Sequence, residues 1–253
     1  MSIIFITVEA GGKRQAMLRH EIKYVLTEAQ ALLLASRIRG LLRPDPYMPS
    51  PDGYIVSSLY FDDRADSSYH EKLAGAEHRK KYRVRLYNFD PSFIVLERKV
   101  KVGGMIEKHS TPISRSTFER LDAGDFGVLE AESSELAHQV LACARARGLA
   151  PKVVVTYRRE AYIHPVSNTR ITFDKQLDAA WSRERMTGGG DFAFAFPSPG
   201  TGESGSVVME IKYDRYLPAF ISAALSHSGP PLAASKYVIC RDKLAQLKKY
   251  YSC

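Results

Sequence analysis

Cysteine is scarce in this sequence. Its three residues, Cys143, Cys240 and Cys253, are odd in number and widely spaced. That excludes a disulfide framework and a CxxC metal site, and leaves three reduced thiols. Long apolar runs are missing too. The stretch Ile3 to Val8 is too short to cross a bilayer, has no basic region before it, and runs into Glu9 and a glycine pair. Leu32-Leu33-Leu34 and Ala219 to Leu225 are both bounded by polar or charged residues. The chain therefore reads as soluble and cytoplasmic, without a signal peptide. Histidines 20, 70, 78, 109, 138, 164 and 227 show no metal-ligand spacing, and there is neither a Ser-x-x-Lys motif nor a P-loop.

What the chain has is positive charge on an otherwise ordinary globular composition. Thirty-six Lys and Arg against 28 Asp and Glu leave +8 over 253 residues, with 45% apolar residues. This length suits one domain, taken here as residues 17–253, with residues 1–16 read as an upstream extension outside the fold. The surplus favours polyanionic partners without choosing among nucleic acid, anionic lipid, nucleotide and phosphate chains.

The distribution of charge along the strands narrows the choice. Period-two alternation, the mark of a strand with two unlike faces, recurs at residues 19–26, 54–62, 79–87, 94–101, 153–159, 170–174 and 207–212. Between these segments, Thr27-Glu28-Ala29-Gln30 fits a capping box opening a helix that ends near Gly40. Further helices are expected at Ser67 to Gly75, Ser116 to Leu121, Ser133 to Arg147, Pro218 to Leu225 and from about Ser235 onward. Gly103-Gly104 marks a hairpin, and Thr187 to Ser206, glycine-rich and aperiodic, reads as a long surface loop.

The polar strand faces are rich in Arg, Lys and Glu. They carry Arg19, Glu21, Lys23, Arg83, Arg85, Glu97, Lys99, Arg158, Arg170, Asp174, Glu210 and Lys212, with Tyr60 and Lys108 as plausible additions. A solvated outer face could look like this. Two features point elsewhere: arginine, whose planar fork suits phosphate, occupies strand centres, and Glu-x-Lys recurs at 21/23, 97/99 and 210/212. Carboxylates offer hard oxygen ligands for Mg²⁺ or Mn²⁺ while neighbouring cations hold the phosphates. Turned into a barrel, such faces would line a solvated tunnel, with helices on the apolar exterior.

The segments Arg19-His20-Glu21-Ile22-Lys23-Tyr24, Ser58-Leu59-Tyr60-Phe61-Asp62, Lys81 to Tyr87, Leu96-Glu97-Arg98-Lys99, Arg170 to Asp174, Glu210-Ile211-Lys212-Tyr213 and Ser235-Lys236-Tyr237 together resemble the vacuolar transporter chaperone (VTC) domain. This is the polyphosphate polymerase branch of the CYTH-like triphosphate tunnel metalloenzymes. The resemblance runs in order from about Arg19 to Tyr237. It implies an α+β fold with a closed eight-stranded antiparallel barrel, flanked by helices, whose charged interior binds ATP, triphosphate or polyphosphate with Mn²⁺ or Mg²⁺. By motif, Lys23, Arg83, Arg85, Lys99, Lys108, Arg158, Arg170, Lys212 and Lys236, with Tyr60, become phosphate-binding candidates. Glu210, with Glu97 and Asp174, becomes the metal set, and Arg83, Arg170 and Glu210 are the catalytic candidates. The superfamily's Glu-x-Glu-x-Lys appears here as Arg19-x-Glu21-x-Lys23, and the missing carboxylate argues against plain hydrolysis.

The expected reaction is transfer of the ATP γ-phosphoryl group to a polyphosphate end. A tunnel triphosphatase or polyphosphatase and a non-catalytic polyanion sensor are the alternatives. Glu210 could instead be a structural ion-pair partner, Lys236 simply the start of a basic helix, and Tyr60 a packing residue. Sequence-specific nucleic-acid binding is not expected, because these cations alternate with core residues within strands. A membrane-protein partner fits the family, and the oligomeric state is left open.

Overall fold

The computed structural model describes residues 19–103, 105–181, 206–226, 229–232 and 234–251. The expectations for residues 1–16 and for the stretch 187–205 lie outside these residues, as does Gly104 of the expected hairpin.

Strand β1 (His20–Thr27) passes directly into helix α1 (Glu28–Arg39). The switch is the expected capping box: Thr27 Oγ1 accepts from the Gln30 amide at 3.2 Å, and Gln30 Oε1 accepts from the Thr27 amide at 2.9 Å. Such a cap contributes about 1 kcal/mol. There follow β2 (Arg43–Pro44), β3 (Tyr54–Asp62), α2 (Ser67–Leu73), and the meander β4 (Arg79–Tyr87), β5 (Ile94–Val102) and β6 (Met105–Ile113). Then come α3 (Arg115–Asp122), a 3₁₀ segment (Phe126–Ala131) and α4 (Glu135–Arg147). Gly148 closes α4 in the left-handed conformation at φ 65°, as its position after the helix predicts. The long hairpin β7 (Ala150–His164) and β8 (Thr169–Ala180) leads through β9 (Ser206–Tyr213) and α5 (Ala219–Ala224) to the terminal helix α6 (Lys236–Tyr251).

Eight strands pair antiparallel in the order β1-β9-β8-β7-β3-β4-β5-β6, and the short β2 adds to β7. The sheet curls until its two edges approach, but among the described residues their backbones meet only at the Arg19–Ile106 bridge, an N–O contact of 3.4 Å. The expected closed barrel is therefore corrected to an open, curled half-barrel. Side chains take over where the ladder stops: Lys99 of β5 spans the seam to both carboxylate oxygens of Glu21 on β1, at 2.8 and 2.9 Å.

The two faces of this sheet differ in kind. On the convex face, Leu59, Val84, Leu96 and Val154 pack against Phe118, Leu129 and Val140 of the α3–α4 region. A second apolar cluster joins Ile171, Phe173, Met209 and Ile211 to Leu34 and Ile38 of α1 and Ile221 of α5. The concave face carries the charged rows. One part of it is apolar: Val56, Val153, Val155 and Tyr157 are covered by Tyr237, Val238 and Leu244 of α6. Asp62 anchors that helix, accepting hydrogen bonds from Tyr237 Oη (2.7 Å) and from the Ser68 and Tyr69 amides (2.9 and 3.1 Å). Arg241 adds a two-pronged pair with Asp66 at 2.9 and 3.0 Å.

Candidate functional site

Strand pairing sets the rows of the concave face. Glu21 and Lys23 of β1 stand opposite Lys212 and Glu210 of β9, and Glu210 stands opposite Thr172 of β8. Across the curl, Arg83 and Arg85 of β4 stand opposite Tyr60 and Ser58 of β3, and Arg83 also opposes Glu97 of β5. The curl brings these rows face to face. Lys23, Lys81, Arg83, Arg85, Lys99, Arg159, Lys212 and Lys236 surround one cavity with Tyr60, Tyr157, Glu210, Ser235 and Tyr237. Helix α6 begins at this wall, its first hydrogen bond running from the Ile239 amide to the Ser235 carbonyl (3.0 Å). Its first-turn amides and dipole thus add to the positive end of the site.

Four carboxylates hold the cations apart. Glu97 receives Arg83 at 2.6 Å and Lys108 at 3.2 Å; Asp174 receives Arg159 at 2.7 and 2.8 Å and Lys236 at 2.6 Å. Glu21 binds Lys23 and Lys99, both at 2.8 Å, while Glu210 lies 3.2 Å from Lys212, 3.4 Å from Lys23 and 3.6 Å from Arg159. Burial and Glu210 push the Glu21 carboxyl up, yet Lys99, Lys23 and Lys212 outweigh them and hold it at about 2. Burial would also raise Glu97, but Arg83, Arg85 and Lys108 keep it well below the carboxylate range. Burial drags Lys212 down to about 7 against the pull of Glu210 and Glu21. Eight basic side chains therefore face four ionised carboxylates, a positive surplus whose size depends on the protonation of Lys212 and Lys81. The free space is only about 90 Å³, room for about three water molecules.

The expected residues are distributed as follows. Lys23, Arg83, Arg85, Lys99, Lys212, Lys236, Tyr60 and Glu210 share the cavity, and Glu97 and Asp174 stand directly behind it on its arginines and lysine. Tyr60 lines the cavity and also packs, its ring 5.2 Å from that of Tyr237 and its hydroxyl accepting from Arg83 at 2.8 Å. Lys108 sits half-exposed at the rim on Glu97. Arg170 is on the same face but farther along β8, held by Asp45 at 2.7 Å and Tyr54 Oη at 2.9 Å, away from the cavity-lining set.

Arg158 is a correction. Arg159, not Arg158, enters the site, because β7 presents Val153, Val155, Tyr157 and Arg159 to the concave side. Both faces of β7 are buried, one under α6 and the other under the α4 cluster, so no polar–apolar alternation marks its facing. Gly53 helps to place Arg159: its φ is +86°, and a Cβ there would lie 2.1 Å from the Arg159 carbonyl oxygen. Lys81 and Glu21 also belong to the site; both were on charged rows in the sequence, and Lys81 simply continues the row of Arg83 and Arg85.

Among the described residues, no group of three or more Asp, Glu, His or Cys side chains forms a metal site. The best-suited oxygen donors are Glu210 and Glu21, linked through Lys23 and Lys212. Beside Glu210, Thr172 Oγ1 is buried without a hydrogen-bond partner. Such hard donors fit a Mg²⁺ or Mn²⁺ ion that keeps water and phosphate oxygens as its other ligands.

The profile of the VTC domain matches residues 18–245. The chain belongs to the VTC domain family. Solved structures with a similar course include a protein from Pyrococcus horikoshii OT3, at 12% identity and a TM-score of 0.46, covering 89% of this chain and 99% of that one. A candidate adenylate cyclase from Vibrio parahaemolyticus matches at 12% identity and a TM-score of 0.41, over 92% and 88% of the two chains. A chain of the Schizosaccharomyces pombe Mediator head module matches at 7% identity and a TM-score of 0.43, over 93% and 95%. These likenesses are too distant to carry a functional argument. No curated protein matches the chain. No helix among the described residues is long and apolar enough to cross a membrane.

Proposed function

We propose that this VTC domain binds phosphate chains on its concave face and transfers the ATP γ-phosphoryl group to the end of a polyphosphate. The observation that carries this reading is the convergence of eight cations from five strands and the start of α6 on one cavity, with each carboxylate already engaged by a cation. Phosphoryl transfer needs in-line alignment and neutralised charge more than a side-chain nucleophile. Arg83 and Arg85 on one wall and Arg159, Lys212 and Lys236 on the other are placed to hold donor and acceptor phosphates between them. A terminal oxygen of the acceptor phosphate forms a bond to Pγ as the bond from Pγ to the β,γ-bridging oxygen breaks, and ADP leaves with that oxygen. The acceptor is already anionic, so no strong general base is required. Mn²⁺ or Mg²⁺, held by Glu210 with Glu21, would supply neutralising charge on the phosphate oxygens.

Hydrolysis is the weaker reading. Arg19, which stands in place of a second β1 carboxylate, is paired with Asp214 at 2.8 Å, leaving Glu21 as the acidic side chain of that row. The test is incubation of the purified protein with ATP and Mn²⁺, measuring ADP, free phosphate and polyphosphate together. Polymer with matching ADP is expected, lost in Arg83→Ala and Glu210→Gln. Free phosphate alone would turn the assignment to hydrolysis, and unchanged ATP with tight binding would turn it to a sensor.

A further inference from the structure

The meander β4–β5 changes character along its length. Arg83 faces Glu97, but the next two rungs on the concave face pair cation with cation: Lys81 with Lys99, then Arg79 with Lys101. Like charges directly opposite in a sheet are destabilising. Lys99 is relieved by Glu21, whereas no ion pair forms at Lys81, Arg79 or Lys101 among the described residues. Lys72 at the end of α2 joins them: burial lowers Lys72, Arg79 and Lys81, and repulsion from neighbouring cations, Arg79 among them, lowers Lys72 and Lys81 further. Glu71 offers Arg79 a weak counter-charge only. Arg79 and Lys101 also border a second cavity of about 330 Å³, which lies toward the convex side of the β4–β5 end and is lined there by Lys80, Tyr82, Val100 and Leu149 with Asp63 and Glu71. The inner space is the smaller of the two, about 90 Å³.

We propose that Lys72, Arg79 and Lys101 form an outer subsite for the phosphate chain, so that a linear polyphosphate longer than the inner site leaves the half-barrel past Lys81 and is gripped at the β4–β5 end. The proposal rests on the phosphate-chain reading of the inner site and adds a direction and a chain-length preference to it. It assigns the unpaired rungs a ligand whose charge repeats at every residue, which is what a row of unneutralised cations is suited to hold.

Binding of inorganic triphosphate and of long-chain polyphosphate, each measured by calorimetry, tests it. Wild-type protein is expected to bind the long chain more tightly per chain end. Combining Arg79→Ala with Lys101→Ala should weaken long-chain binding about tenfold, as loss of two phosphate contacts does, and leave triphosphate within about twofold. Arg83→Ala should weaken both ligands. Removal of two exposed cations on α3 and α4, Arg120→Ala with Arg145→Ala, is the charge-matched control and should leave long-chain binding within about twofold. The outer subsite is overturned if the Arg79/Lys101 variant affects both ligands equally or neither, if the control weakens long-chain binding as much, or if single-stranded RNA displaces the polyphosphate at equal phosphate concentration. If wild-type protein binds no triphosphate, the inner-site reading falls and takes the outer one with it; if triphosphate binds but chain length brings no advantage, only the outer subsite falls.

Discussion

The two faces of one curled sheet do opposite work. Odd and even residues separate into a convex face that buries leucine, valine and phenylalanine under helices and a concave face that, outside the patch under α6, buries charge. Burying apolar surface stabilises by about 25 cal/mol per Å², whereas a buried ion pair roughly cancels its own desolvation. The convex face therefore supplies the stability that the concave face gives up. On the proposed function, the concave ion pairs hold the basic side chains in position until a phosphate chain replaces their partners.

That contrast can be broken from either side. The largest loss of stability is expected on the convex face: Phe118→Ala, at a side chain 1% exposed, should cost about 3–5 kcal/mol in denaturant unfolding. The sharpest contrast comes from Arg83 and Glu97. Arg83→Met alone strands a buried carboxylate and should cost up to about 3–5 kcal/mol, but adding Glu97→Leu should return most of it while phosphate binding stays lost. A double variant that regains binding would remove Arg83 from the site. Smaller is the anchor of α6: Asp62→Asn weakens charge-assisted bonds to Tyr237, Ser68 and Tyr69, worth about 1.5–3 kcal/mol, and hydrogen exchange should then quicken in α6 before the convex clusters. Uniform quickening would show that the helix is not separately held.

The smallest effect is at Lys81, which burial and then Lys23 and Lys99 push well below 10.5. Protonated Lys81 costs the fold stability. That cost is complete below its lowered pKa and is relieved as pH rises toward 10.5. A bound polyanion raises the same pKa, so binding takes up protons in this window and affinity falls as pH rises, at less than the tenfold per pH unit that one full proton would give. Lys81→Met should accordingly raise the melting temperature, weaken triphosphate binding and flatten its pH profile. A profile unchanged from wild type would place the proton uptake on another group.

Much of this was legible in the sequence because local rules are strong where one face is dry and one is charged. The Thr27 cap, the ends of α1 and α4 and the rows 21/23, 81/83/85, 97/99 and 210/212 fall where capping and period two put them. Arg158 and Arg159 show where the signal stops: with apolar residues on both faces of β7, adjacent arginines are equivalent in pattern, and only α6 lying in the concavity decides which of them points inward.

The amino-acid sequence alone determined the strands, their charged rows and the family, since these depend on residue type and spacing along the chain. Tertiary structure decided what depends on distance across the chain. The sheet stays open, with Lys99 and Glu21 rather than backbone amides bridging its seam, and Arg159 takes the place of Arg158. Arg170 is drawn aside by Asp45, and Arg79, Lys81 and Lys101 at the β4–β5 end form no ion pair among the described residues. Coulomb energy falls with separation in space, so the partner of a charge is known only once the curl has brought the strands together.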